Sequence, residues 1–295
     1  MAKARELRRR IKSVENTRQI TRTMEMVSTS KLKRAQDRVV ATRPYASALA
    51  DVIGSLYDPV LVERFPLLRQ PVGRPDRVAV VLVTSNRGLC GAFNGNLIRY
   101  ARNRIAELEA QGVTVELHGV GKKGIGYFKY VKRALATART DIGDRPTPEH
   151  AAEVVQPLMD RFAREELDGV EVVFAQFVNP LSTPPTMLRI LPVAPPANRS
   201  RGKTKGAGAA NYILRPSAEE IVGALLPLYV RNQMYRALVE TAASEHGARR
   251  TAMKNATDNA GEMLNSLRRT YHRARQAQIT QEIAEIVGGA EALKG

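Results

Sequence analysis

Glycine-rich segments follow two Val-rich stretches of the chain, and glycine-rich strand exits are where α/β proteins hold nucleotide phosphates. The first, residues 84–96, reads TSNRGLCGAFNGN and carries neither G-x-G-x-x-G nor G-x-x-x-x-G-K-[ST]. The second, residues 118–128, reads HGVGKKGIGYF and is interpreted as lacking the full spacing as well. We interpret the glycines of both segments as residues of tight turns, because glycine adopts left-handed backbone angles without steric cost. The sequence therefore predicts that this chain binds no cofactor.

Metal binding and acid–base catalysis also lack a matching set of residues. No histidine lies at metal-ligand spacing from another histidine or from a cysteine; the four are His118, His150, His246 and His272. The single cysteine, Cys90, has no nearby signature of nucleophilic catalysis and is predicted to be a partly buried structural thiol. No pair of carboxylates marks a recognisable site. The sequence thus predicts a chain that is not an enzyme by itself and holds no metal.

The distribution of proline predicts the elements at the two ends of the chain. All sixteen prolines lie between Pro44 and Pro227, and residues 1–43 also lack glycine. Proline costs about 3 kcal/mol and glycine about 1 kcal/mol inside a helix. Both ends are therefore predicted as long helices, of roughly 65 and 100 Å at about 1.5 Å per residue. Pro44 is expected to kink or end the first helix, which is predicted to stop before residue 60.

Apolar side chains recur at helical spacing in both predicted helices. In the first helix, steps of six and five interrupt the spacing and predict an irregular coiled coil; the positions are Leu7, Ile11, Val14, Ile20, Met24, Val27, Leu32, Ala35 and Val39. The last helix keeps an unbroken heptad spacing with small side chains, at Met253, Ala256, Ala260, Met263, Leu267, Thr270, Ala274 and Ala277. Only residues 1–55 are long enough to cover that seam, so antiparallel pairing of the two helices is predicted.

Strands and helices alternate in the middle of the chain. Residues 77–84, RVAVVLVT, have the length and composition of a strand buried on both faces of a parallel sheet. Further strands are predicted at 113–120, 170–178 and 186–193, and helices at 97–111 and 149–166. This alternation predicts an α/β layered domain. The segment that follows, residues 194–211, contains Pro, Gly, Arg and Lys, and this composition predicts a surface loop.

Charge is unevenly distributed. The net charge is +17, and residues 1–43 hold thirteen Lys and Arg against four Asp and Glu. A basic helix is compatible with nucleic acid, with an anionic membrane or with an acidic protein partner, and composition does not decide among them. No apolar run approaches the ~20 residues that a membrane span needs, and the single cysteine fits a reducing compartment.

Three segments carry a resemblance to a known family. Residues 11–36, 84–96 and 252–293 closely resemble the gamma subunit of F-type ATP synthase, in the same order along nearly the whole chain. Departures are small: Asn86 stands where the family usually has Asp, and Thr23, Ser28 and Thr29 stand where Ala is common. The resemblance is weaker over residues 127–215.

The resemblance implies a fold and a function. The fold is α/β with long terminal helices: an antiparallel coiled coil of the N- and C-terminal helices beside a central Rossmann-like domain without nucleotide. The expected segments are residues 1–58 for the first shaft helix, 76–195 for the Rossmann-like domain, 196–211 for a flexible basic loop and 216–295 for the last shaft helix. The function is that of a non-catalytic rotor, which couples ion flow in the membrane to ATP synthesis or hydrolysis.

The resemblance also implies partners and contact residues. The partners are the alpha and beta subunits of the catalytic head, the epsilon subunit and the membrane c-ring, with one copy per complex, no nucleic acid, and a place on the cytoplasmic face of a bacterial plasma membrane. Met24 is expected beside an acidic loop of beta, and Arg275 and Gln276 are expected to bond to beta, with Thr280 and Glu282 coupled to them. Four further residues of the last helix are expected to form an apolar tip that turns in a hydrophobic sleeve: Ile279, Ile283, Ile286 and Val287.

Overall fold

A computed structural model describes residues 2–56, 64–71, 73–193 and 218–292. The chain divides into two compact units. We call residues 1–29 and 249–295 the helix-pair unit, and residues 30–248 the sheet unit. The predicted basic loop, 196–211, lies outside the described residues.

Two long helices extend from the ends of the chain, as the proline distribution predicts. Helix α1 runs from Ala2 to Leu56, and helix α5 runs from Ala218 to Ala292. Of the two outcomes expected at Pro44, a kink or an end of the helix, the end is wrong, since α1 continues through this residue. A proline inside a helix costs about 3 kcal/mol. Beyond it, Leu49 and Ile53 are buried in the core of the sheet unit, and burying such side chains stabilises by about 1.5–3 kcal/mol each.

A five-stranded sheet forms the centre of the sheet unit. Its strands are β1 (Arg77–Val83), β2 (Thr114–Val120), β3 (Thr137–Arg139), β4 (Gly169–Ala175) and β5 (Pro185–Leu191). Their order in space is β3-β2-β1-β4-β5, with β1 to β4 parallel and β5 antiparallel at one edge. The central strand β1 is buried from Val78 to Val83, which confirms the prediction made from its Val-rich sequence.

Three further helices accompany the strands: α2 (Phe93–Ala110), α3 (Lys122–Tyr130) and α4 (Pro148–Ala163). The four longer strands and the helices α2 and α4 match the predicted segments to within a few residues. Helix α3 and strand β3 were not predicted. Helix α3 is only nine residues long and carries two glycines, and β3 has three residues, so neither shows a readable period.

The core of the sheet unit lies on both faces of the sheet. One face joins strand residues such as Val81 and Val172 to α4 and to the parts of α1 and α5 that belong to this unit. The other face joins Val80 and Val173 to α2 and α3. A third cluster brings Leu32, Ala35 and Val39 of α1 together with Val239 and Ala243 of α5. The helices thus cover both faces, which is the layered arrangement predicted for an α/β domain.

Helices α1 and α5 run antiparallel in the helix-pair unit. Thr21 Oγ1 lies 2.8 Å from Thr257 Oγ1, and Arg268 Nη2 donates to Glu15 Oε1 over 3.2 Å. Residue numbers fall along one helix as they rise along the other, so the predicted antiparallel pairing is confirmed.

Candidate functional site: the helix pair and the closed sheet edge

The buried seam of α5 follows one of two possible heptad ladders. The sequence analysis placed Met263 in the seam, but its side chain is 54% exposed. The next residue, Leu264, is 1% exposed and lies in the seam instead. From Ala260, a step of three residues and then four reaches Leu267 through Met263, and a step of four and then three reaches it through Leu264. Spacing alone therefore permits either residue in the seam. The predicted seam position at Met263 is therefore wrong.

The seam residues of α1 are spaced regularly along the helix, although its apolar residues are not. Thr21 and Ser28 are buried, and they lie a heptad apart between apolar positions. Arg18 supplies the preceding step, where it packs beside Gly261. The interruption predicted from the apolar pattern is wrong because polar residues occupy seam positions. Their hydroxyls donate to backbone carbonyls, Thr21 to Arg18 O over 3.0 Å and Ser28 to Met24 O over 2.7 Å, so burial leaves no donor unsatisfied.

Met24 lies at the border of this seam. Its side chain is half-buried, whereas Ile20 and Val27, which the sequence analysis grouped with it, are exposed. The three residues therefore do not share a buried face. They form an apolar strip along the outside of the helix pair, next to the polar seam residues Thr21 and Ser28.

The end of α5 carries a second exposed apolar strip. Every residue from Ile279 to Ala290 is exposed, and the predicted tip residues have exposed fractions of 42% for Ile279, 56% for Ile283, 71% for Ile286 and 61% for Val287. Exposed apolar side chains that are grouped together mark surfaces that contact a partner.

Polar residues of the predicted contact set lie beside this strip. Arg275, Gln276, Thr280 and Glu282 are all exposed on α5. Thr280 Oγ1 donates to Gln276 O over 3.0 Å, and Gln278 Nε2 donates to Glu282 Oε1 over 2.8 Å. The described residues give Arg275 no ion pair, which leaves its guanidinium group free to bind a partner.

A dinucleotide-type fingerprint lies at the carboxyl end of β2. Gly119, Gly121 and Gly124 have the spacing G-x-G-x-x-G, and they lie between a strand and a helix, as in nucleotide-binding βαβ units. An acidic residue, Asp141, follows Gly121 by twenty residues, just after β3. The tight-turn interpretation overlooked this spacing, although it fits Gly121, whose φ is +96°.

The protein's own atoms fill the space that these glycines leave. A Cβ on Gly121 would lie 2.1 Å from Thr84 O, and one on Gly124 would lie 2.9 Å from Thr84 Oγ1. The first amides of α3 also have partners: Lys122 N donates to Asn86 Oδ1 over 2.9 Å, and Gly124 N donates to Thr84 Oγ1 over 2.9 Å. These are the amides that would otherwise bind a phosphate.

The remaining space at this edge is small. Asn86, Gly143 and Asp144 line a cavity of about 30 Å³ together with Leu238 and Glu245 of α5. Ligand pockets typically measure about 300–1,000 Å³, so this one holds no more than a water molecule. The segment of α5 that belongs to the sheet unit therefore closes the edge where a nucleotide would bind.

Asp141 is also engaged within the protein. Arg139 donates to its carboxylate through Nε over 2.8 Å and Nη2 over 2.6 Å, which lowers the pKa of Asp141 to about 2. In dinucleotide-binding folds, the corresponding acid binds a ribose hydroxyl. Here that acid forms an internal ion pair with a strand residue.

The loop between β1 and α2 is held by its own hydrogen bonds. Asn94 accepts from Ser85 N over 3.1 Å and donates to Cys90 Sγ over 3.1 Å, and Asn86 Nδ2 donates to Ile142 O over 2.8 Å. Cys90 is buried rather than partly buried, which fits the predicted structural role. Leu89 has a left-handed φ of 62° and an exposed side chain.

No group of three or more His, Cys, Asp or Glu side chains among the described residues is placed to hold a metal ion. No helix within the described ranges combines the length and apolar character that a membrane crossing needs.

Comparisons with known proteins assign the chain to a family. The ATP synthase family model matches residues 3–293. The ATP synthase gamma chain of Gemmatimonas aurantiaca is 61% identical over 295 residues, covering 100% of both chains, and that of Desulfitobacterium hafniense is 43% identical over 295 residues, also covering 100% of both. A chain in the mitochondrial ATP synthase of Euglena gracilis (OSCP, F1 and c-ring) has the same fold, with a TM-score of 0.67 and 22% identity over 99% of this chain and 95% of that one.

The fold thus consists of two long antiparallel helices and an α/β domain whose nucleotide edge is closed. The chain belongs to the gamma chain family of ATP synthase.

Proposed function

We propose that this chain transmits rotation between a membrane c-ring and a catalytic head of alpha and beta subunits, as one copy per complex. The observation that carries this proposal is the exposed apolar strip at the end of α5. A strip of this kind on a long paired helix needs a partner that excludes water without fixing one side chain. An apolar sleeve in a surrounding ring would provide such a surface.

The contacts with the head are proposed residue by residue. The apolar tip would turn in the sleeve, while Arg275 and Gln276 bond to beta, assisted by Thr280 and Glu282. Met24 would pass an acidic loop of beta from its position at the border of the α1 seam. The basic charge of the first helix supports this arrangement, since electrostatic complementarity steers a cationic shaft toward acidic loops.

The chain would be non-catalytic and would bind no cofactor; the closed edge at Gly121 supports this, because its amides already have partners. It would bind the epsilon subunit and not nucleic acid. It would lie at the cytoplasmic face of a bacterial plasma membrane, attached to the complex as a peripheral subunit.

Rotation of this chain during ATP hydrolysis is the direct test. Cys90 is buried, so a Tyr130→Cys variant offers one exposed thiol for a fluorescent or bead label. Assembled with alpha and beta subunits fixed to glass, the labelled chain should turn in one direction when ATP is added. Sustained ATP hydrolysis with a stationary label would contradict the proposal, and so would ATP turnover by the purified chain alone.

A second test separates a partner contact from a folding role. Ile286 and Val287 are exposed in this chain, so replacing both by Ser should leave its unfolding midpoint unchanged. In the assembled complex the same double variant should reduce coupled ATP synthesis, since the apolar sleeve would face hydroxyl groups. Gln281→Ser on the same exposed stretch is the matched control and should have no effect. Equal activity of the two variants would refute the sleeve contact.

A further inference from the structure

An exposed basic and aromatic surface runs along α3 and into the turn that follows it. Its members are Lys122, Lys129, Tyr130, Val131 and Lys132, which we call the α3 patch. All five are exposed, with Tyr130 at 84% and Val131 at 45%. The opposite side of the helix, with Ile125 and Phe128, is buried in the core. The patch thus combines exposed residues of α3 with the two residues that follow it.

The helix ends in a conformation that glycine would adopt more readily. Arg133 N donates to Phe128 O over 2.9 Å, and Lys132 N donates to Lys129 O over 3.1 Å, which together form a Schellman motif. The left-handed position of this motif is usually glycine, but here it is Lys132, with φ of 56°. A left-handed conformation is unfavourable for a residue with a Cβ. Strain of this kind tends to persist where the residue has a function.

The segment around the α3 patch is positively charged. Residues 117–140 contain no Asp or Glu. Arg133 pairs with Glu109 of α2 over 2.6 Å. Among the described residues, no carboxylate pairs with Lys122, Lys129 or Lys132. The lysines of the α3 patch are therefore available to an external anion.

We propose that the α3 patch binds the surface of a bilayer that contains anionic phospholipids. Lysine ammonium groups would bind the headgroup phosphates, while the Tyr130 ring and Val131 enter the interface. An aromatic ring with a polar tip suits that depth, and lysine side chains extend from it to the phosphates. Tyr130, at 84% exposed, is not enclosed by neighbouring side chains, which favours an extended surface over a groove that docks an acidic peptide.

The absence of tryptophan from this chain gives a direct assay. A Tyr130→Trp variant carries the only tryptophan, next to the patch lysines. With vesicles of 70% phosphatidylcholine and 30% phosphatidylglycerol, its emission should shift to the blue and be quenched by brominated phosphatidylcholine. Pure phosphatidylcholine should give neither effect. Tyr45→Trp, at another exposed aromatic residue of the same unit, is the control and should remain unquenched.

A charge-matched pair tests whether the site or the overall charge is responsible. Lys129→Glu with Lys132→Glu should lower the vesicle partition constant at least about tenfold, since each lysine near an anionic surface contributes about 1 kcal/mol. Lys12→Glu with Arg22→Glu changes the net charge equally, at exposed positions of the helix-pair unit, and should have a much smaller effect. Equal losses from the two pairs would overturn the proposal.

The strained lysine allows binding to be separated from folding. Lys132→Gly should raise the thermal unfolding midpoint, because glycine relieves the left-handed strain, and should weaken vesicle binding at the same time. Unchanged vesicle binding by this variant would count against the proposal. If the fluorescence of the Tyr130→Trp variant responded to polyglutamate but not to anionic vesicles, an acidic protein partner would replace the lipid surface.

Discussion

Replacing Leu264 by Ala should open the helix pair far more than replacing Met263 by Ala. Leu264 is 1% exposed and Met263 is 54% exposed, although they are adjacent on the same helix. Truncating a buried leucine costs about 2–5 kcal/mol. We expect about 2–3 kcal/mol here, because a seam between two helices can partly collapse around the smaller side chain. The exposed methionine should cost within about 0.5 kcal/mol.

The comparison has a built-in control, because leucine and methionine have nearly the same helix propensity. The change to alanine therefore alters the intrinsic stability of the helix equally at both positions. Any difference between the two variants reports the packing of the seam.

Hydrogen exchange measured by mass spectrometry gives the local opening free energy. Amides of residues 257–271 should exchange about 30-fold to 140-fold faster in Leu264→Ala, since each 1.4 kcal/mol is a factor of ten. In Met263→Ala, exchange over the same residues should stay within about twofold to threefold of the wild type. If Met263→Ala accelerated exchange as much as Leu264→Ala, the ladder through Met263 would be correct and the seam described above would be wrong.

Three more outcomes follow from the same structure. Gly121→Ala should destabilise the sheet unit by more than about 2 kcal/mol in urea denaturation, because a Cβ at this positive φ would clash with the backbone carbonyl of Thr84. Gly126→Ala, in open space, should instead stabilise the unit by about 0.5–1 kcal/mol. A Gly121→Ala variant as stable as the wild type would refute the close approach. The pKa of Asp141 is lowered from 3.8 to about 2, so its ion pair with Arg139 stabilises the fold fully above pH 3.8. The difference in free energy of unfolding between the wild type and Asp141→Asn should therefore shrink as pH falls toward 2. A difference that did not change over that pH range would contradict this. Met24→Lys should lower the number of protons pumped per ATP hydrolysed in membranes that contain the complex. Met26→Lys, nearly opposite on α1, should change this ratio less. The same proton-to-ATP ratio in both variants would make Met24 an ordinary packing residue.

The two long helices and most of the sheet could be predicted from the sequence. Proline and glycine are disfavoured inside helices by backbone chemistry, so their absence from residues 1–43 predicts α1 whatever the helix packs against. The Val-rich composition of β1 likewise reports a strand buried on both faces. The three motif segments identified the family, because they are long and occur in the right order.

The details of the seam depended on tertiary structure. Spacing permitted either Met263 or Leu264 in the seam, and only packing against α1 selects Leu264. Thr21 and Ser28 were missed because apolar patterning does not count hydroxyl residues, although a hydroxyl that donates to the preceding turn can be buried at little cost.

The edge of the sheet at the end of β2 shows what the sequence and the tertiary structure each determined about nucleotide binding. The sequence determined that glycines follow β2 at the spacing of a nucleotide fingerprint. The tertiary structure decided that Thr84, Asn86 and α5 occupy the space and the amides that a nucleotide would need. The physical reason is that glycine permits close approach by any neighbouring atom, and only the folded chain determines which atom that is.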